Sequence, residues 1–137
     1  MSTIVVGYDG SAASDAALGT AIEAATAFGD QLLIAFGYDA NPVGGELTDY
    51  RDALEEHGQQ LVKTALERAQ GAGVAAEPVV VSEAPAPALV ALAQQHDARL
   101  IVVGTRGEGP VRAALLGSTV HKLLHLADRP VLVVPLA

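Results

Sequence analysis

Five short runs of mostly branched apolar residues punctuate the chain: Ile4–Val6, Leu32–Phe36, Val79–Val81, Leu100–Val103 and Val131–Val134. None alternates apolar with polar positions as a half-exposed strand does. Each therefore reads as a strand covered on both faces, the habit of a parallel sheet between helices. Between the runs, apolar residues recur at helical spacing. Ala17, Leu18, Ala21, Ile22 and Ala25 follow the first, with Ser11 as N-cap and Asp15 in the first turn. Leu54, Leu61, Val62, Ala65, Leu66 and Ala69 follow the second run, and Leu89, Leu92 and Ala93 the third, entered through Pro85 and Pro87. Val120, Leu123, Leu124 and Ala127 follow the fourth, and Pro130 stops that helix. Strict alternation of strand and helix predicts one doubly wound α/β domain over residues 1–137, with helices on both faces of the sheet. Pro78 places the third strand at a sheet edge, where a missing N–H does little harm. The fifth strand also opens after a proline. As the other edge, Val131–Val134 would expose an apolar strand without Lys or Glu, which favours pairing with a second copy.

Composition narrows the function. With 137 residues, 50% of them hydrophobic and 18% charged, the chain can bury one sizeable core. Its apolar runs are too short to span a bilayer, and MSTIVVGYDG lacks the basic start and long apolar region of a secretory signal, so a cytoplasmic protein is expected. Cysteine is absent, which removes thiol chemistry and cysteine-ligated zinc. A net charge of −8 opposes binding to a nucleic-acid backbone. Any anion site must be built locally.

The stretch GTRGEGPVRAALLGST, Gly104 to Thr119, has the makings of one. In open α/β sheets ligands bind beyond the carboxyl ends of the strands, where strand order reverses. The first strand exits into GYDGSAAS and the fourth into the glycine-rich stretch, so both face one crevice if the two strands are neighbours. Gly104 and Gly107 would let backbone N–H groups approach an anion. Gly117, Ser118 and Thr119 then open the fourth helix, whose unpaired N–H groups and positive dipole end suit a phosphate. Taken singly, a glycine after a strand and a serine at a helix start are also ordinary devices of folding.

Gly104, two residues, Gly107, nine residues, then Gly117-Ser118 resembles the ATP-binding signature of the universal stress protein family. The likeness extends to IVVGYDGSAAS, ALVALAQQHDARLIVVGTRG and ADRPVLVVP. The resemblance implies a five-stranded sheet in the order 3-2-1-4-5, of the adenine nucleotide α-hydrolase-like kind. It also implies a homodimer through the last strand and ATP in the crevice. Carried over by position, Gly7, Tyr8 and Asp9 match the first-strand exit, and Phe36 the residue flanking adenine. Val103, Gly104 and Gly107 match the start of the phosphate loop, and Gly117, Ser118, Thr119 and Val120 its end. Tyr8 and Phe36 are bulkier than the family's usual residues there, and so would stack on the base or narrow its pocket.

Asp9 is a candidate for contact with ribose or with Mg²⁺ carried by the phosphates, the plain alternative being a turn-forming Asp. Arg106 and Arg112 are candidates for phosphate contact or solvated loop cations. His121 and His125 share a helix face but lack a third ligand, so they read as surface residues, as do His57 and His96. Gly37–Tyr50 reads as a long connection, either a flap bringing Tyr38 or Tyr50 over the nucleotide or a solvated crossover. No GxxxxGK[ST], no GxGxxG after the first strand and no GxSxG occurs, and no paired carboxylates stand near the loop. A regulatory ATP-binding module is therefore preferred to a slow ATP hydrolase, with a non-binding structural dimer as the third reading.

Overall fold

A computed structural model describes residues 1–39, 47–106 and 116–136. The apolar runs form β1 (Thr3–Gly7), β2 (Gln31–Gly37), β3 (Ala76–Val81), β4 (Leu100–Gly104) and β5 (Val131–Val134). The helical patterns form α1 (Ala12–Phe28), α2 (Leu47–Gly71), α3 (Pro85–Gln95) and α4 (Ser118–Leu126). All strand pairs are parallel, in the order β3-β2-β1-β4-β5. The order expected from the family resemblance is therefore the order observed, with β3 and β5 at the edges; Pro78 lies inside β3, which begins two residues before it at Ala76. In the centre, Val6 stands opposite Ile34 on one side and Val102 on the other.

Two cores sandwich the sheet, because successive strand residues point to opposite faces. Ile4, Val6, Leu32, Ile34 and Phe36 face α1 and α2, meeting Leu18, Ala21, Val62 and Ala65. Val5, Leu33, Ala35, Ile101 and Val103 face α3 and α4, meeting Leu89, Leu92, Val120 and Leu123. The alanines of α1 let that helix lie close to the sheet. It is capped by Ser11, whose Oγ accepts from the Ser14 N–H at 3.2 Å, and ends on Gly29 in the left-handed conformation at φ 71°.

Two expectations are corrected. Leu124, counted as an apolar-face residue of α4, is 54% exposed, because this nine-residue helix buries only Val120 and Leu123. The connection read as Gly37–Tyr50 is shorter, since Gly37 ends β2 and α2 begins at Leu47.

At the amino end of the sheet, buried Asp30 accepts from the Ser2 N–H (3.1 Å) and from Arg99 Nε (2.6 Å), tying together the starts of β1, β2 and β4. Arg99 also lies over the Phe28 ring at 4.3 Å. The Arg99 hydrogen bond holds the Asp30 carboxyl below its ordinary range, outweighing the opposing effect of burial. A depressed carboxylate stabilises the fold above the unfolded value near pH ~4, and that contribution is lost as pH falls through the folded value. Asp30→Ala is expected to lower Tm by about 3–5 °C at neutral pH. The difference from wild type should shrink below about pH 4, followed by circular dichroism; a constant difference down to about pH 2 would contradict the linkage.

Candidate functional site

β1 and β4 are neighbours, so their carboxyl ends open into one crevice, as the strand order requires. A cleft of about 530 Å³, open to solvent, lies there. Of the residues singled out from sequence, Gly7, Tyr8, Asp9, Phe36, Val103, Gly104, Arg106, Gly117, Thr119 and Val120 line it. Ser118 does not; it is exposed on the first turn of α4. Gly107, Gly109 and Arg112 lie outside the described residues. Five lining residues escaped the sequence reading: Ser14, Ala35, Gly37, Pro85 and Leu89. Pro85 and Leu89 carried a usable signal, because α3 starts where β3 ends, on the crevice side of the sheet.

Several glycines here have packing reasons. A Cβ at Gly104 would lie 2.6 Å from the Ala13 carbonyl oxygen, so the bare backbone admits the first turn of α1. At Gly37 a Cβ would meet the Glu83 carbonyl oxygen at 2.8 Å, which lets the start of α3 close on β2. These two approaches bring the amino ends of α1 and α3 to the cleft, where α4 also begins. The Gly117 N–H donates to the Thr105 carbonyl at 2.8 Å, joining the two ends of the glycine-rich segment. Gly117 is also the N-cap of α4 and provides no side-chain cap, so first-turn N–H groups of that helix keep donor capacity.

Asp9 and Arg106 are the charged residues among the described lining. Asp9 Oδ1 accepts from both the N–H (3.0 Å) and the hydroxyl of Ser11, and the Asp9 N–H donates to Ser14 Oγ at 3.3 Å. Asp9 thus forms the expected turn and faces the cleft as well. Tyr8 is nearly buried and donates its hydroxyl to Asp15 Oδ1 at 2.6 Å. Burial, and then the Asp15 hydrogen bond, push its phenol up to about 12. Phe36 stacks with Tyr38 at 6.1 Å and takes the edge of His57 at 6.1 Å. His57 is therefore exposed but not partnerless. Tyr38 is buried and donates to Glu55 Oε1, so it supplies a wall behind Phe36 and does not line the cleft. Tyr50 sits exposed on α2. His121 and His125 touch edge to face at 5.1 Å on the exposed side of α4, and no cluster of three metal-ligating side chains occurs among the described residues.

This lining suits a nucleotide. Its wall is largely apolar, and its polar groups are few and convergent. A single carboxylate fits a Mg²⁺ ion held mainly by phosphates, not one held by the protein alone.

Comparison with known proteins gives a consistent result. The sequence profile of the Universal stress protein family matches residues 1–135. A universal stress protein of Thermus aquaticus is 35% identical over 135 residues, covering 96% of this chain and 97% of that one. Universal stress protein YxiE of Bacillus subtilis is 33% identical over 88 residues, covering 64% of this chain and 60% of that one. The chain spans 44–47% of the length of the mycobacterial relatives it matches. A solved structure of a universal stress protein in complex with cAMP is 32% identical and superposes with a TM-score of 0.75, covering 99% of this chain and 98% of that one.

The Tyr8–Asp15 bond is open to direct test. Spectrophotometric titration should show a tyrosine step near pH 12, and Tyr8→Phe should remove that late step. Because the folded value is raised above 10.0, the stability linked to neutral Tyr8 is present below pH 10.0 and lost as pH rises toward 12. A wild type whose titration is unchanged by Tyr8→Phe at high pH would contradict this buried, hydrogen-bonded placement of Tyr8.

Proposed function

The chain belongs to the universal stress protein family, and we propose that it is a regulatory module that binds ATP, with Mg²⁺ on the phosphates, in the crevice between β1 and β4. The observation that carries the proposal is the cleft itself: Arg106 and the amino end of α4 on one lining, with Phe36, Leu89, Val103 and Val120 in its wall. In this reading Phe36 and Tyr8 flank the base, Gly7 and Asp9 face the nucleoside, and Asp9 reaches Mg²⁺. Val103, Gly104, Arg106, Gly117, Thr119 and Val120 follow the phosphate chain, joined by Gly107 and Ser118 on the strength of the signature. The solved relative in complex with cAMP supports an adenine nucleotide as ligand.

A binding role is favoured over hydrolysis by the state of Asp9. Its Oδ1 already accepts two hydrogen bonds from Ser11, so that oxygen is engaged in forming the turn and not in holding an attacking water. We further propose that the protein acts in the cytoplasm as a homodimer through β5. That strand is a sheet edge, Leu132 on it is 40% exposed, and Leu124, Leu126 and Leu136 are exposed nearby in sequence.

Denaturing the purified protein and separating the released small molecules should yield an adenine nucleotide, and added Mg²⁺-ATP should bind. Gly117→Val is expected to weaken that binding at least about tenfold while the fold is kept, because the added side chain stands where the phosphates approach the amino end of α4. Unchanged affinity would remove the amino end of α4 from the site. Single-turnover hydrolysis should run slower than about one per second; a faster rate would favour the hydrolase. Light scattering at micromolar concentration should give twice the chain mass, and Leu132→Lys should give the monomer. A monomeric wild type would contradict the β5 dimer.

A further inference from the structure

Gly58 stands in the interior of the 25-residue helix α2 with an ordinary helical backbone. A glycine there is disfavoured relative to alanine, and no turn or positive φ accounts for it. Its surroundings do. A Cβ at position 58 would lie 2.5 Å from Cδ1 and 2.9 Å from Cε1 of Phe36, and 3.1 Å from Val80 Cγ1. The missing side chain is the seat of the Phe36 ring.

That ring has little freedom elsewhere. Phe36 lies near the carboxyl end of β2, paired in register with Val80 of β3. Tyr38 stacks on it at an interplanar angle of 29°, and the Tyr38 hydroxyl is held at 3.0 Å by Glu55 of α2. His57 meets it edge-on. Nor can α2 easily retreat, since Val62, Ala65 and Ala69 are at most 1% exposed in the core. Leu61 is seated equally closely on Gly10, which has φ 82°. Phe36 is at the same time a lining residue of the cleft.

We propose that Gly58 is a positioning residue for the nucleotide site: by leaving room for the Phe36 ring against α2, it keeps that ring out of the space the base occupies. The inference rests on the nucleotide reading above and extends it to a residue that does not line the cleft. α2 becomes the back wall that sets the width of the base end. A methyl group added at 58 drives the ring into the cleft, because a packed core transmits such a displacement instead of absorbing it.

The chain has two phenylalanines, so selective labelling of Phe gives two ring signals, and Phe36 can be followed by NMR with and without ligand. Gly58→Ala should shift the Phe36 signal, leave Phe28 in place, and weaken Mg²⁺-ATP binding by at least about tenfold. In a double-mutant cycle, Gly58→Ala placed in a Phe36→Val background should bind within about threefold of Phe36→Val alone, because the smaller side chain no longer transmits the push. Gly58→Ala binding as wild type, with or without a shifted ring, overturns the inference. So does a double variant that binds about tenfold or more weaker than Phe36→Val alone, since the effect would then not pass through Phe36. A Gly58→Ala chain that unfolds where the double variant folds also overturns it, because the ring would then have disrupted α2 instead of entering the cleft. A wild-type chain that binds no adenine nucleotide is a different failure: it removes the nucleotide reading, and this inference with it.

Discussion

The close approach of α1 to the end of β4 organises the crevice. Gly104 has no side chain, and the Ala13 carbonyl occupies the place where one would begin. The first turn of α1, with its Ser11 cap and the Asp9 turn before it, is thereby fixed beside the exit of β4. From that contact follow the placement of Asp9 and Ser14 on one side of the cleft and of Arg106 and Gly117 on the other. The glycine is needed for packing, and packing brings the polar groups together. The two roles are not alternatives.

A further part of the crevice wall is built from aromatic rings anchored from behind. Tyr8 is pinned through its hydroxyl to Asp15, and Arg68 of α2 donates to the Asp15 carbonyl oxygen at 3.1 Å. Phe36 is seated on Gly58 and backed by Tyr38. Both rings are therefore held from behind by residues that do not line the cleft. A preformed wall of this kind reduces the conformational entropy lost when a ligand is ordered.

The architecture was legible because its determinants are local. Unbroken runs such as LLIAF carry the signal of a two-sided strand, and Pro78 announces an edge by lacking a donor. Ser11 and Asp15 mark a helix start by chemistry confined to one turn. The cleft was legible where glycine and hydroxyl residues gather at strand exits. What stayed hidden depends on three-dimensional proximity. Nothing near Gly58 in sequence points to Phe36, 22 positions away, and His57 reads as a surface residue until the same ring is placed beside it. Tyr38 resembled a loop residue because its partner, Glu55, lies one helical segment later. Leu124 fits the apolar period of α4, but so short a helix at the sheet margin has a narrow buried face.

In the proposed reading the exits of β1 and β4 and the amino end of α4 form one anion-holding site. Titrating Mg²⁺-ATP into ¹⁵N-labelled protein tests it most directly. The amide signals of Asp9, Gly104, Arg106, Gly117 and Thr119 should move together with a single dissociation constant, while those of Asp30 and Arg99 at the far end of the sheet stay still. Signals that move at the far end, or a crevice whose amides ignore the nucleotide, would contradict the account.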